Sequence, residues 1–242
     1  MKFVMVGATD VGLLRKYNQD SLYFNSDLGV GVVADGIGGR KGGEVASKLA
    51  VNGLKNELLN SEMIRHDEAK NFLLATIDRL NATIIDEGFK KPHVRGMGTT
   101  LECIMFVGEK AYLAHVGDSR TYLYYHENLF QLTIDHNVET FLEKGWMQTE
   151  NILPGSKKSA LTRALGLTNK CEVDLYSIDL LPGQVFLTCS DGLYGMIDDR
   201  TLLKIMNKYA HNIEQLPKVL INEANKQGGK DNITVLVASV EL

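Results

Sequence analysis

Short runs of apolar residues, punctuated by turn-forming ones, dominate the chain. FVMVGATD (3–10), SLYFN (21–25) and GVGVVAD (29–35) read as strands with turn residues between them. From Gly42 to Leu59 the period changes to that of a helix, with Ala46, Leu49, Ala50, Leu54 and Leu58 on one stripe. A second helix is predicted from an Asp67 N-cap to Gly88, with Ala69, Leu73, Ile77, Leu80 and Ile84 as its stripe. Strands are then expected at 99–107, 110–118, 120–125 and 129–133. The turns Gly108–Glu109 and His126–Asn128 are so short that these strands must form an antiparallel meander. A short helix (136–144) leads to Gly145–Ser159, a polar stretch without a period that reads as an exposed loop or flap. Strands at 172–178 and 184–191 flank Pro182–Gly183, and helices at 199–209 and 213–226 precede a last strand, 232–240. Pro217 fits the first turn of the second of these helices.

Runs of antiparallel strands interrupted by helix pairs imply sheets packed together with helices outside, an α+β class. No internal repeat, low-complexity segment or Pro/Ser-rich linker divides the sequence, so one domain over 1–242 is expected. A chain of this length buries roughly 70% of the surface its unfolded form exposes.

Composition narrows the function by exclusion. The chain is 44% hydrophobic and 23% charged, ordinary for a globular protein. A net charge of −4 without a basic block argues against nucleic-acid or anionic-membrane partners. No apolar stretch reaches 18 residues, and Phe3–Ala8 is too short for a signal-peptide core. Cys103, Cys171 and Cys189 lie in apolar, strand-like surroundings, which fits reduced thiols and a cytoplasmic location. The six histidines show no metal-binding spacing and are read as surface or structural residues.

The stretch VVADGIGGRKGG (32–43) holds five glycines within eight positions after one aspartate. It is not a P-loop, since no GxxxxGK[ST] string occurs. Gly29–Ala34 matches GxGxxA only nominally, because it lies inside a strand rather than at a strand-to-helix turn. A plain Asp-Gly hairpin is the bland alternative. However, Asp-Gly recurs at 191–192 after the apolar VFLTC. Asp231 opens the final strand, Asp20 precedes a strand and Asp118 ends one. Five aspartates at strand ends is a pattern that core packing does not explain. Converging like charges repel unless a cation neutralises them, and an all-oxygen ligand set suits Mg²⁺ or Mn²⁺ rather than zinc. Gly36 would let its own carbonyl face a metal, and Gly38–Gly39 would leave room for a ligand. Two such metals would form a clamp for phosphoryl chemistry.

With these residues in place, the chain resembles the metal-dependent (type 2C, PPM) serine/threonine protein phosphatases of the compact bacterial kind. The matching elements are RKYNQD (15–20), VADGIGG (33–39), GMGTTL (96–101), HVGDSR (115–120), LTIDHN (132–137), LTRALG (161–166), CSDGL (189–193) and GGKDNIT (228–234). They stand in family order and cover nearly the full length. The resemblance implies an antiparallel β-sandwich flanked by pairs of helices, a four-layer αββα arrangement, with the flap near 145–159. It also implies roles. Asp35 would bridge two metals, with the Gly36 carbonyl on one and Asp191 and Asp231 on the other. Asp20 would hold a metal-bound water, and Asp118 with Asp191 matches a third metal position. Arg15 would bind the substrate phosphate through its fork of donors. In isolation Arg15 reads as a solvated charge and Asp118 as a turn residue. Two departures stand out: Ile37 replaces the histidine that follows the DG in many eukaryotic members, and Lys157-Lys158-Ser159 replaces the usual Arg-Asn of the flap.

The implied activity is hydrolysis of phosphoserine and phosphothreonine in proteins by a water activated between two Mn²⁺ or Mg²⁺ ions. The implied partners are phosphorylated substrates of a serine/threonine kinase, met by a monomer. Two other readings stay open on the residues alone: a non-catalytic phosphoprotein-binding module of the same fold, and a serine hydrolase prompted by His115 and Ser119.

Overall fold

The computed structural model describes residues 1–37, 42–61, 64–152 and 155–241. The first elements are β1 (Lys2–Asp10), β2 (Asp20–Asn25), β3 (Val30–Ile37), α1 (Gly42–Asn60) and α2 (Ala69–Lys90). Then come β4 (Gly98–Thr99), β5 (Leu101–Val107), β6 (Lys110–Val116), β7 (Arg120–Tyr125) and β8 (Asn128–Gln131). They do not form the single antiparallel meander expected from sequence: β5–β6 and β7–β8 are hairpins in different sheets, and the short link at 117–119 carries the chain from one sheet to the other. Next come α3 (Val138–Glu143), β9 (Asp174–Asp179), β10 (Val185–Cys189) and α4 (Asp191–Tyr194). The chain closes with α5 (Asp199–Tyr209), α6 (Leu216–Lys226) and β11 (Ile233–Glu241).

One sheet has the order β1-β11-β10-β7-β8, the other β2-β3-β5-β6-β9, and all named pairs are antiparallel. Three buried clusters mark the interfaces of a four-layer stack. The α1 and α2 stripes pack on the second sheet through Leu54, Leu73, Ile77, Cys103 and Met105. The sheets meet through Val33, Ile104, Phe106, Phe186, Leu236 and Ala238. Helices α5 and α6 cover the first sheet through Leu202, Met206, Leu220, Val235 and Val237. The two-residue period of a strand explains the division. In β11, Ile233, Val235 and Val237 face the helices while Leu236, Ala238 and Val240 face the other sheet. Strands buried on both faces are therefore continuous apolar runs. Each fully buried Leu, Ile or Phe contributes about 1.5–3 kcal/mol of transfer free energy.

Several predicted boundaries change. Asp67 does not cap α2. The amides of Glu68 and Ala69 donate to the Arg65 carbonyl, so a turn feeds straight into the helix, and Asp67 instead pairs with Arg65 at 3.1 Å. The strand expected at 99–107 is interrupted at Thr100, whose amide donates to the Asp35 carbonyl. Asp191 starts α4 rather than ending β10, and the helix expected at 213–226 begins with a 3₁₀ turn, Ile213–Gln215. Gly38–Gly39 and two residues of the 145–159 stretch, Leu153 and Pro154, lie outside the described residues.

Candidate active site

The β2–β3 ladder sets Asp20 directly opposite Asp35. Asp20 is buried, and one carboxylate oxygen accepts from the Ser190 and Thr234 hydroxyls at 2.7 and 2.6 Å. Its other oxygen, Oδ1, is buried with no hydrogen-bond partner among the described residues, and so is Oδ1 of Asp191. Asp35 is fixed through its backbone. Its amide donates to Thr100 Oγ1 at 2.9 Å, and its carbonyl accepts from the Thr100 amide and the Thr99 hydroxyl at 2.8 and 2.9 Å.

The five aspartates act on one another. Burial first, then the charges of Asp20, Asp191, Asp118 and Asp231, hold the Asp35 carboxyl well above the usual range. Burial also pushes Asp20 up to about 7, against the hydroxyls that favour its charge. Asp118 is pushed up to about 7 by burial and by Asp191 and Asp135. Asp191 is raised by burial and by Asp231. Desolvated carboxylates crowded by like charges require protons or a cation.

Close backbone approaches explain the two Asp-Gly pairs. A Cβ on Gly36 would lie 2.1 Å from the Gly43 carbonyl oxygen at the start of α1. A Cβ on Gly192 would lie 2.0 Å from the Asn232 carbonyl oxygen. The glycines let α1 and the start of β11 press against the site, a role beyond the freedom of the Gly36 carbonyl expected from sequence.

Arg15 reaches the site on a loop held from the far end of the chain. Its Nη2 donates to Asp231 Oδ2 at 2.5 Å. Asn232 donates to the Val11 and Tyr17 carbonyls at 2.9 and 3.0 Å and accepts from the Gln19 amide at 2.8 Å. The Gly229 carbonyl accepts from the Leu13 amide at 2.8 Å. Asn232, Ser190, Thr234 and Thr100 were not singled out from sequence. Their one signal is that each adjoins a motif aspartate or lies within a motif.

An open cavity of about 620 Å³ contains Arg15, Asp35, Asp118, Asp191 and Asp231, with Gly36, Ile37 and Lys157 also on its wall. Asp20 lies behind it. A larger cavity of about 760 Å³, lined by Gln184, His211 and Glu214 among others, contains none of these aspartates. We take the smaller as the site because the chemistry converges there. Among the described residues, no three Asp, Glu, His or Cys side chains form a ready-made metal cage. An oxygen-only set that leaves coordination positions to water and to a backbone carbonyl is what Mg²⁺-like ions use. The two orphaned buried carboxylate oxygens are unmet acceptors of the kind such ions satisfy. The donor set therefore fits a divalent cation.

The serine hydrolase alternative finds no support in the geometry. His115 bonds Glu102 at 2.5 Å through Nδ1 and the Ile134 carbonyl at 2.9 Å through Nε2, while Ser119 pairs with Thr100 at 2.8 Å. Both are fully buried, and neither serves the other.

Comparison with known proteins agrees with this arrangement. The protein phosphatase 2C family model matches residues 15–225. The serine/threonine phosphatase stp of Listeria monocytogenes serotype 4b is 35% identical over 239 residues, 97% of this chain and 94% of that protein. The solved S. agalactiae serine/threonine phosphatase superposes with a TM-score of 0.88 at 30% identity, covering 99% of this chain and 100% of that one. The catalytic domain of the serine/threonine protein phosphatase PstP, solved with two manganese ions, gives 0.84 at 31% identity, covering 100% and 99%. With the model match spanning most of its length, the chain belongs to the protein phosphatase 2C family of bacterial serine/threonine phosphatases.

Proposed function

We propose that residues 1–242 act as one catalytic domain that hydrolyses phosphoserine and phosphothreonine in proteins with the aid of two Mn²⁺ or Mg²⁺ ions. The observation that carries this reading is the convergence of four aspartates, Asp35, Asp118, Asp191 and Asp231, on one open cavity that Arg15 also lines, with Asp20 paired to Asp35 across the β2–β3 ladder. Asp35, Asp191, Asp231 and the Gly36 carbonyl would hold the two ions, and Asp118 with Asp191 would hold a third. The chemistry these ions supply is charge neutralisation at phosphoryl oxygens and a more acidic water.

The chain's own groups do the rest. Arg15, half-exposed and held at its tip by Asp231, can turn its second donor edge to a phosphate. Asp20 is fixed through Oδ2 by Ser190 and Thr234, which leaves its buried Oδ1 as an acceptor suited to orienting a water. Attack in line with the leaving serine or threonine oxygen needs no phosphorylated enzyme intermediate. Ile37 stands at the cavity wall and supplies no proton to the leaving group. Lys157 adds positive charge to the cavity wall.

The substrates would be proteins phosphorylated by a serine/threonine kinase, met in the cytoplasm by a monomer. Among the described residues no helix is long and apolar enough to cross a membrane. The test is hydrolysis of phosphopeptides and aryl phosphates by EDTA-stripped protein with and without Mn²⁺. Activity should appear only with the ion, and full activity in exhaustively stripped protein would contradict the metal assignment.

A further inference from the structure

Two of the motifs quoted above, LTIDHN and LTRALG, have no part in the chemistry assigned so far. The structure joins them in one buried network beneath Asp118. The His136 amide donates to the Gly117 carbonyl at 2.7 Å, and the Gly117 amide donates to His136 Nδ1 at 3.1 Å. His136 thus grips, from both sides, the residue immediately before Asp118. Its ring is fully buried. Burial, reinforced by neighbouring His115, pushes its pKa down to about 4, so the ring is neutral. With Nδ1 accepting, Nε2 carries the proton and donates to Asp174 Oδ2 at 3.2 Å.

Asp174 is held in turn by Arg163, whose Nη1 donates to Oδ1 at 2.8 Å and whose Nη2 lies 2.9 Å from Glu172. The same guanidinium sits 5.5 Å from the Phe141 ring, and Phe141 packs edge-on against Trp146 at 5.4 Å. Backbone bonds run in parallel. The Thr162 amide donates to the His136 carbonyl at 2.8 Å, Val138 to Ala160 at 2.9 Å and Glu139 to Lys158 at 2.9 Å. Trp146 and Lys158 both belong to the 145–159 stretch, so an unbroken set of contacts runs from both of its ends to Gly117.

We propose that His136, fixed by Asp174 and Arg163, is a positioning residue that holds Asp118 in the cavity and couples it to the 145–159 stretch. The proposal rests on the reading of Asp118 as a metal-facing carboxylate. It deepens that reading: ion occupancy at the Asp118–Asp191 position depends on a histidine that touches neither ion nor substrate. Residues that orient a metal ligand typically change affinity 10–100-fold when removed. Replacement by Asn is informative, because its Oδ1 reproduces the Nδ1 acceptor for Gly117 while the reach of Nε2 to Asp174 and Arg163 and the ring contacts with His115 and Phe141 are lost.

Two measurements test this. Amide exchange in the metal-free protein should show the Gly117 amide deprotected in His136→Ala and protected in His136→Asn. Calorimetric Mn²⁺ titration should show the weakest site of His136→Ala loosened about 10-fold or more with the tighter sites kept, as in Asp118→Asn. The double variant should be no worse than Asp118→Asn alone, since the two act as a unit. His136→Asn should sit between wild type and His136→Ala. Unchanged Gly117 exchange, or wild-type Mn²⁺ affinity at every site in a folded His136→Ala protein, would overturn the proposal. Absence of Mn²⁺ binding by the wild type would instead overturn the metal reading, and with it the Asp118 part, leaving the exchange result to decide the coupling through Gly117.

Discussion

Arg15 and Asp231 lie 216 residues apart in sequence and 2.5 Å apart in space, guanidinium Nη2 to carboxylate Oδ2. The pair is partly exposed, so it adds little to stability. Its interest is functional: the cation that faces a carboxylate here is free to face a phosphate in a complex. Arg15→Ala should raise KM for an aryl phosphate and weaken inhibition by inorganic phosphate. Steady-state kinetics with phosphate as inhibitor check this, and a variant with unchanged KM and inhibition would remove Arg15 from substrate binding.

The crowded carboxylates set a pH dependence. Asp20 and Asp118 are pushed from 3.8 up to about 7, so the metal-free folded protein binds more protons than the unfolded chain across that window. Their stability contribution is complete below about pH 4 and is lost as pH rises through 7. Mn²⁺ displaces those protons, so its stabilising effect should be larger at pH 8 than at pH 6. Thermal melts of EDTA-stripped protein, with and without Mn²⁺, should show this, and Asp118→Asn should flatten the metal-free slope. Equal slopes in wild type and variant would remove Asp118 as the source.

Gly192 provides a structural test. Alanine there would put its Cβ 2.0 Å from the Asn232 carbonyl oxygen, forcing β11 and α4 apart. Overpacking of this kind costs about 1–3 kcal/mol. Urea denaturation should register that loss, and activity should fall as well, because Asp191 and Asn232 flank the contact. A fully stable Gly192→Ala protein would show that the backbone approach is not tight.

Ile37, paired with Gly98 across β3 and β4, faces the cavity without a proton to give. A positioned acid typically contributes ~10²–10⁴-fold to such a step. Aryl phosphates, whose phenolate leaves unaided, should be favoured over alkyl phosphates, and Ile37→His should help alkyl substrates more. Turnover across phosphate monoesters of graded leaving-group pKa measures this. A flat dependence in the wild type, with chemistry rate-limiting, would mean that another group is the acid.

The helical stripes were legible because burial follows a 3.6-residue period. Ala46, Ala50, Leu54 and Leu58 of α1, like Leu73, Ile77 and Ile84 of α2, all pack in one core. The recurring strand-end aspartates were legible as well, since charge repeated at the ends of apolar runs has no packing rationale. The pairing of β1 with β11 was not, because nothing local in residues 2–10 marks 233–241 as their partner. The break at Thr100 was equally hidden: β-branched residues continue the strand pattern, while the bonds that interrupt it come from Asp35. The same holds for Asn232, whose three bonds to the 11–19 loop are visible only in three dimensions.

The measurement closest to the central claim is Mn²⁺-dependent turnover of a phosphothreonine peptide by wild type and Asp35→Asn, alongside thermal melts of both. Asp35 feels the charge of all four other site aspartates. Removing its charge should lower turnover by orders of magnitude while leaving the protein folded and, without metal, no less stable. Wild-type turnover in a folded Asp35→Asn protein would contradict the account.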